Sequence, residues 1–157
     1  MDRALLRVLR TRGHSPAAER AVLAFTRSGE HGLLWLLGSA AGAVLDPPRR
    51  PLYLRAIRVV VGAYFTNIAM KYAVRRKRPE LEGLPPLSST VTSLSYPSAH
   101  STTSFAAARV LSSGLPAAPL YACAGAMALS RIYAGVHYPT DIAAGAALGT
   151  AMTELIP

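Results

Sequence analysis

Apolar positions in this chain gather into five nearly continuous runs, at about 32–45, 52–74, 99–113, 117–134 and 141–156. None alternates with a period of two, so the runs predict helices, apolar on most sides and therefore buried in a bundle or in lipid. The pattern from 16 to about 27 differs. Ala18, Ala21, Val22 and Phe25 recur at helical spacing while Glu19, Arg20 and Arg27 take the other face. Ser15 is placed to cap this helix and Pro16 to open it. The segment is too short and too charged to span, which predicts an amphipathic helix lying at an interface. Residues 1–15 form a basic N-terminal segment ending in Gly13-His14-Ser15-Pro16, and 16–157 read as a single membrane-embedded domain. A Pro- and Ser-rich stretch, Pro79 to Pro97, predicts an ordered loop or lid. No internal repeat is apparent. The expected fold class is all-α: an integral membrane helical bundle of about five transmembrane helices plus the N-terminal interfacial helix.

Composition sharpens the membrane reading. Half of the chain is hydrophobic, yet it has one Trp and three Phe against 12 Gly. Ala, Leu, Val and Gly make a poor bulky core and a good surface for close-packed helices in lipid. Gly145 and Gly149, four residues apart, predict close approach of a neighbouring helix. Most runs sit near the short end of what a bilayer requires, so tilt or local thinning is expected. The single cysteine, Cys123, lies in an apolar run as a small packing residue, which excludes a disulfide framework and a Cys-based metal site. The net charge is +9. Its basic residues fall between hydrophobic runs without aromatic interleaving, which argues against nucleic acid and for anionic lipid surfaces and phosphate substrates. The first 31 residues hold six Arg and no apolar stretch ending at a small-residue cleavage site, so no cleavable signal peptide is expected.

Following the crossings in order places the N-terminus, the 75–98 loop and the 131–140 loop on one face. Three polar clusters meet there. The first is Lys71, Arg75, Arg76, Lys77 and Arg78-Pro79, which alone would read as a membrane anchor. The second is Tyr96-Pro97-Ser98-Ala99-His100, an ordinary helix opening whose free amides and dipole also favour an anion. The third is Ser130-Arg131 through His137 to Asp141. In it a carboxylate lies four residues past an imidazole, close enough to orient it and raise its basicity. Singly, each has a structural explanation. Together they place three cations, two histidines and a carboxylate on one face, the components of a phosphoryl-transfer site.

These residues resemble the type-2 phosphatidic acid phosphatase superfamily, which also includes bacterial acid phosphatases and vanadium haloperoxidases. Its pattern is Lys-x6-Arg-Pro, Pro-Ser-Gly-His and Ser-Arg-x5-His-x3-Asp. This chain supplies Lys71…Arg78-Pro79, Pro97-Ser98-Ala99-His100 and Ser130-Arg131…His137…Asp141, over a resemblance covering about residues 28–156. Ala99 departs from the usual Gly, which affects local loop geometry. The resemblance implies His137 as the nucleophile that forms a phosphohistidine, Asp141 as its orienting partner, and His100 as the acid that protonates the leaving alkoxide and then helps activate water. It implies Lys71, Arg78, Ser98, Arg131 and the amides near Ala99 and His100 as the phosphate cradle. No carboxylate cluster accompanies the motifs, so activity is expected to need neither metal nor cofactor. Glu30 is a candidate substrate contact, though Glu30 and His31 also read as first-turn residues of a helix capped by Ser28.

A site opening at a membrane edge implies a lipid phosphate. The short chain, with Gly29-Glu30-His31 before its first span, looks most like actinobacterial members assigned to decaprenylphosphoryl-5-phosphoribose, which remove its 5-phosphate in making the arabinose donor for the cell wall. Undecaprenyl pyrophosphate, phosphatidylglycerophosphate and phosphatidic acid are the alternatives within the class. A vanadate-dependent haloperoxidase and a non-catalytic lipid-binding protein are those outside it. Apart from the motif cations, the active face carries nine Lys and Arg (Arg3, Arg7, Arg10, Arg12, Arg20, Arg27, Arg75, Arg76, Lys77) against five (Arg49, Arg50, Arg55, Arg58, Arg109) on the other. That excess predicts a site facing the cytoplasm of a bacterial plasma membrane.

Overall fold

A computed structural model describes residues 2–157. The described residues form seven α-helices: α1 (Asp2–Thr11), α2 (Pro16–Ser28), α3 (Leu33–Leu45), α4 (Arg50–Val74), α5 (Ala99–Leu111), α6 (Ala117–Tyr133) and α7 (Pro139–Leu155). Short 3₁₀ turns precede α3 and α4. Among the described residues there is no strand, only one isolated bridge between Lys77 and Leu94. Five helices coincide with the apolar runs, and α2 starts as its sequence implies: the Ser15 hydroxyl accepts the Ala18 amide at 3.2 Å, with Pro16 in the first turn. The basic segment differs from expectation. Residues 2–11 form α1, which buries Leu6 with Ile132 and Tyr138 under the loop between α6 and α7. No helix among the described residues is both long and apolar enough to cross a membrane. At 1.5 Å per residue, the 13-residue α3 and α5 each reach only about 20 Å.

The bundle is built around α5. Ten of its 13 residues are buried, from His100 to Leu111, so it lies inside a ring of α3, α4, α6 and α7. Ala106, Ala107 and Ala108 keep it thin. On α7, Gly145 and Gly149 bring that helix onto the backbone of α5. A Cβ at Gly145 would lie 2.6 Å from the Ser98 carbonyl oxygen, and one at Gly149 would meet the Thr102 carbonyl. The Ser101 hydroxyl donates to the Ile142 carbonyl at 2.6 Å across the same seam. Trp35 of α3 donates its indole N–H to the Ser104 hydroxyl at 2.8 Å, which satisfies the polar end of a buried aromatic. Along α4 a buried stripe runs Ala56, Val59, Val60, Ala63, Asn67, Lys71, apolar at first and polar in its last two turns. That change of character marks the end of the bundle where buried polar side chains gather.

Candidate active site

Four helix termini meet at this end: the C-termini of α4 and α6 and the N-termini of α5 and α7. They surround a cavity of about 520 Å³, lined in part by Lys71, Arg78, Ala99, His100, Arg131 and His137. The three separated motifs therefore do converge.

His137 follows the tight turn after α6, where Gly135 takes a left-handed φ of 75° and a Cβ would lie 3.3 Å from the Arg10 side chain of α1. It is 2% exposed. Its Nε2 lies 3.1 Å from Arg78 Nη1. A guanidinium only donates, so Nε2 is the accepting nitrogen and the proton of the neutral ring sits on Nδ1. Nδ1 points to Asp141 Oδ2 at 3.5 Å, a little longer than a formed hydrogen bond and within reach of a small ring rotation. Burial pushes the imidazole down to about 3, with Arg78, Arg131 and Lys71 acting in the same direction and Asp141 against it. At neutral pH the ring is thus uncharged, with its Nε2 lone pair on the cation side.

Asp141 is wholly buried in the first turn of α7. Its Oδ2 accepts the Tyr138 amide at 2.8 Å and its Oδ1 accepts from Arg76 Nη1 at 2.8 Å. Arg76 also donates to Asp2 Oδ2 at 2.9 Å and lies over the Tyr138 ring at 4.1 Å. Although burial opposes it, hydrogen bonds from Thr140 and Arg76 hold the Asp2 carboxyl below its ordinary value. Arg76, which the sequence places among ordinary anchor cations, is the outer support of Asp141. Its run of four basic residues carried no signal to separate it from Arg75 or Lys77.

Two of the cations, Lys71 and Arg78, are held by main-chain oxygens. Lys71 Nζ donates to the Pro97 carbonyl at 2.8 Å, and Arg78 donates to the carbonyls of Thr92 and Val136, each at 2.8 Å. Burial lowers Arg78 to about 10, with Asp141 opposing, so it remains charged. Arg131 Nη1 donates to the Thr26 hydroxyl at 2.8 Å. These bonds use part of each donor set and leave the rest for an anion.

His100 Nε2 donates to the Thr26 carbonyl at 3.0 Å, which leaves Nδ1 as the free ring nitrogen. Thr26 therefore orients both His100 and Arg131, a role with no sequence signal because half of it is main-chain. The Ala99 and His100 amides open α5 with no acceptor among the described residues, while the Thr102 amide goes to the Ser98 carbonyl. Ala99 has an ordinary right-handed helical backbone, since among the described residues the only left-handed ones other than Gly are His31 and Arg75. The position therefore does not need the usual Gly. Ser98 is fully buried as the α5 N-cap, its hydroxyl 3.5 Å from the Ser101 amide, beneath the cavity.

Glu30 and His31 line the cavity, but not as residues of a Ser28-capped helix. Ser28 ends α2 and its hydroxyl donates to the Phe25 carbonyl at 2.7 Å. Glu30 to Gly32 form a 3₁₀ turn with His31 left-handed at φ 54°. The tight chain reversal into α3 overrides local capping. No group of three His, Cys, Asp or Glu suited to a metal occurs among the described residues.

Residues 52–157 match the family model of the PAP2 superfamily. The chain belongs to the PAP2 superfamily. PAP2 relatives include the decaprenylphosphoryl-5-phosphoribose phosphatase of Mycobacterium tuberculosis, 38% identical over 130 residues covering 82% of this chain and 72% of that one. The protein of the same description from Mycolicibacterium smegmatis is 36% identical over 92% of this chain and 80% of that one. Lipid A 1-phosphatase of Rhizobium etli is 33% identical, over 74% of this chain and 57% of that one. The PAP2 fold is shared with two crystal structures, each 24% identical. Aquifex aeolicus LpxE has a TM-score of 0.84 over 98% of this chain and 93% of that one. The transmembrane phosphatidylglycerolphosphate phosphatase of Bacillus subtilis has a TM-score of 0.78 over 99% and 82%. These PAP2 relatives put the chain among lipid phosphatases.

Proposed function

We propose that the protein hydrolyses a lipid phosphate monoester without a metal, through a phosphohistidine, and that its substrate is a polyprenylphosphoryl-phosphoribose from which it removes the 5-phosphate during synthesis of cell-wall arabinan precursors. The observation that carries the reading is the neutral His137 ring, its Nε2 lone pair set among Lys71, Arg78 and Arg131 with Asp141 behind it. The two mycobacterial relatives support the choice of substrate.

Non-bridging oxygens take the free N–H groups of Lys71, Arg78 and Arg131 and the amides of Ala99 and His100; Ser98 contributes by capping the helix that presents those amides. Arg78 moves from Nε2 to the phosphate as it binds. Nε2 then attacks phosphorus, the P–O bond to the alcohol breaks, and His100, which takes a solvent proton onto Nδ1 once the phosphate dianion lies beside it, passes that proton to the leaving oxygen. Asp141 accepts from Nδ1 of His137 as that ring becomes cationic. In the second step water attacks phosphorus and passes its proton to His100 Nδ1. The P–N bond breaks and inorganic phosphate leaves with His137 restored. Phosphoryl transfer depends mainly on positioning and charge neutralisation, which fixed cations and helix dipoles supply.

A membrane setting is supported by the outward-facing Leu37, Val44, Leu45 and Phe65, each at least 60% exposed on α3 and α4. The site end faces the cytoplasm. Arg10 and Arg76 are taken up by internal contacts, and the seven basic residues left on that side still outnumber the five opposite.

The test is phosphate release from a panel of lipid phosphates in EDTA. The phosphoribose lipid should turn over fastest and EDTA should change nothing. His137→Ala should lower turnover at least about 10³-fold in a protein that still folds. Full activity in that variant would overturn the mechanism, and preference for a pyrophosphate or a glycerolipid would overturn the substrate.

A further inference from the structure

Beyond the phosphate cradle, the mouth of the same cavity carries polar groups that the chemistry of phosphoryl transfer does not use. Glu30, His31 and Tyr64 line it, together with Asn67. The Glu30 carboxylate has no hydrogen-bond or ion-pair partner among the described residues, yet it lies close enough to Arg131 for their charges to couple. His31 Nδ1 lies 2.6 Å from the Tyr64 hydroxyl, which fixes both side chains and leaves the other imidazole nitrogen free. Deeper in, Asn67 is fully buried. Its Nδ2 donates to the Pro97 carbonyl and the Thr102 hydroxyl while Oδ1 has no partner.

The backbone presents this set deliberately close to the reacting groups. A Cβ at Gly29 would strike Met127 and come within 3.0 Å of the His100 ring, and one at Gly32 would come within 3.0 Å of Val60. The two glycines thus let the turn seat itself against α4, α5 and α6 and carry Glu30 and His31 to the rim beside His100. His31 is held at φ 54°, ψ 17°, a conformation unfavourable for a residue with a Cβ and kept where the surrounding structure overrides that preference. On α4, Tyr64, Asn67 and Lys71 stand one above another on successive turns. Tyr64 and Lys71 are seven residues apart, about 10 Å along the axis. That distance accommodates a phosphate and the short carbon chain that carries it.

We propose that Glu30, His31, Tyr64 and Asn67 form a polyol subsite that holds the hydroxyls of the alcohol to which the phosphate is esterified. The proposal rests on the phosphatase reading above and names what lies on the far side of the ester oxygen. Carboxylate, amide oxygen, phenol and imidazole accept from hydroxyls or donate to them, and none requires an anion. The Glu30 carboxylate also repels a second phosphoryl group joined directly to the first, so a neutral hydroxylated carbon chain next to the ester suits the mouth better than a diphosphate. A sugar and a glycerol backbone share this chemistry, and the spacing favours the longer of the two.

The experiment compares kcat/KM for three soluble probes, ribose 5-phosphate, glycerol 1-phosphate and n-pentyl phosphate, using the full chain in detergent. The wild type should prefer ribose 5-phosphate to pentyl phosphate by at least about tenfold, because the analogue that lacks hydroxyls forgoes the bonds at the rim and leaves the buried Asn67 Oδ1 unpaired. Glycerol 1-phosphate should fall between them; if it comes first, the subsite reads a glycerol backbone rather than a sugar, and the sugar preference is overturned. In Glu30→Ala the ratio of ribose to pentyl phosphate should collapse toward one, and in Tyr64→Phe it should fall part of the way. A wild-type ratio near one, or a ratio kept in both variants, overturns the subsite while leaving the phosphatase reading intact. Failure of the wild type to release phosphate from the lipid panel overturns both, whereas turnover of the lipid panel but of none of the soluble probes overturns the subsite alone.

Discussion

At the scale of single residues, the site rests on how protons and donors are assigned to two imidazoles. His137 is kept neutral and His100 is tied by Nε2 to a carbonyl, so each ring shows the cavity one chosen nitrogen. This has a cost that can be measured. The folded His137 stays neutral down to about pH 3, whereas the unfolded chain protonates near pH 6.5. Between those values the unfolded state binds more protons, so stability present above pH 6.5 is lost as the pH falls. The melting temperature in detergent should therefore drop between pH 7 and pH 4.5, and His137→Asn should drop less steeply. Arg76 supports a second expectation. It touches Asp141 rather than the cavity, so Arg76→Met should lower kcat by about tenfold to a hundredfold through misplacement of the nucleophile while KM changes little. Arg76→Lys should restore part of the loss. A change confined to KM would mean that Arg76 meets the substrate itself. The chemistry-bearing residues were legible because their spacing is set by helix ends. Thr26 was not, since a carbonyl acceptor 74 residues away from its donor leaves no mark on composition. His31 was not either, because nothing in a histidine announces a left-handed backbone.

At the scale of elements, the close seam between α5 and α7 fixes where Asp141 stands relative to His100. The Ser98 amide donates to the Asp141 carbonyl at 3.0 Å, so a shift of α7 moves the carboxylate and the α5 N-terminus together. One substitution made at two glycines should act in opposite directions. Gly149→Ala pushes a methyl into the Thr102 carbonyl and should destabilise by about 1–3 kcal/mol. Gly38→Ala on α3 meets nothing within 4 Å and should stabilise by about 0.5–1 kcal/mol. Thermal unfolding of the two variants in one detergent checks the pair, and equal shifts would contradict the packing described. Element limits were the easiest part to read ahead of the structure. Pro16 and the Asp46-Pro47-Pro48 break start or stop helices by local stereochemistry alone. The α1 helix escaped notice because its ten residues interleave three arginines with short apolar pieces, and no continuous run marks it until Leu6 finds Ile132 and Tyr138.

At the scale of the whole molecule, strictly alternating helices send every second connection to the same end, which is why motifs from residues 71, 100 and 137 meet. This was legible from the order of the segments. What it does not contain is the fastening of that end. Arg76 bridges Asp2 and Asp141, and Arg10 donates to the Pro85 carbonyl at 3.0 Å. The α1 helix thus clamps both the lid loop and the loop between α6 and α7. Membrane orientation can be checked with cysteines introduced near Arg3 and within 80–95. Both should resist an impermeant thiol reagent in intact cells and react after permeabilisation; labelling in intact cells would invert the orientation.

The contact between Arg78 and the His137 lone pair also bears on selectivity toward reagents. A nucleophile whose attacking electrons are already engaged by a guanidinium is poorly available to electrophiles that carry no oxyanion. On the mechanism proposed above, only an anion draws the guanidinium aside, so the group that would recognise phosphate would also unmask the atom that attacks it. General acylating and alkylating agents should therefore find the histidine sluggish, whereas vanadate and phosphonate electrophiles bring their own means of exposing it.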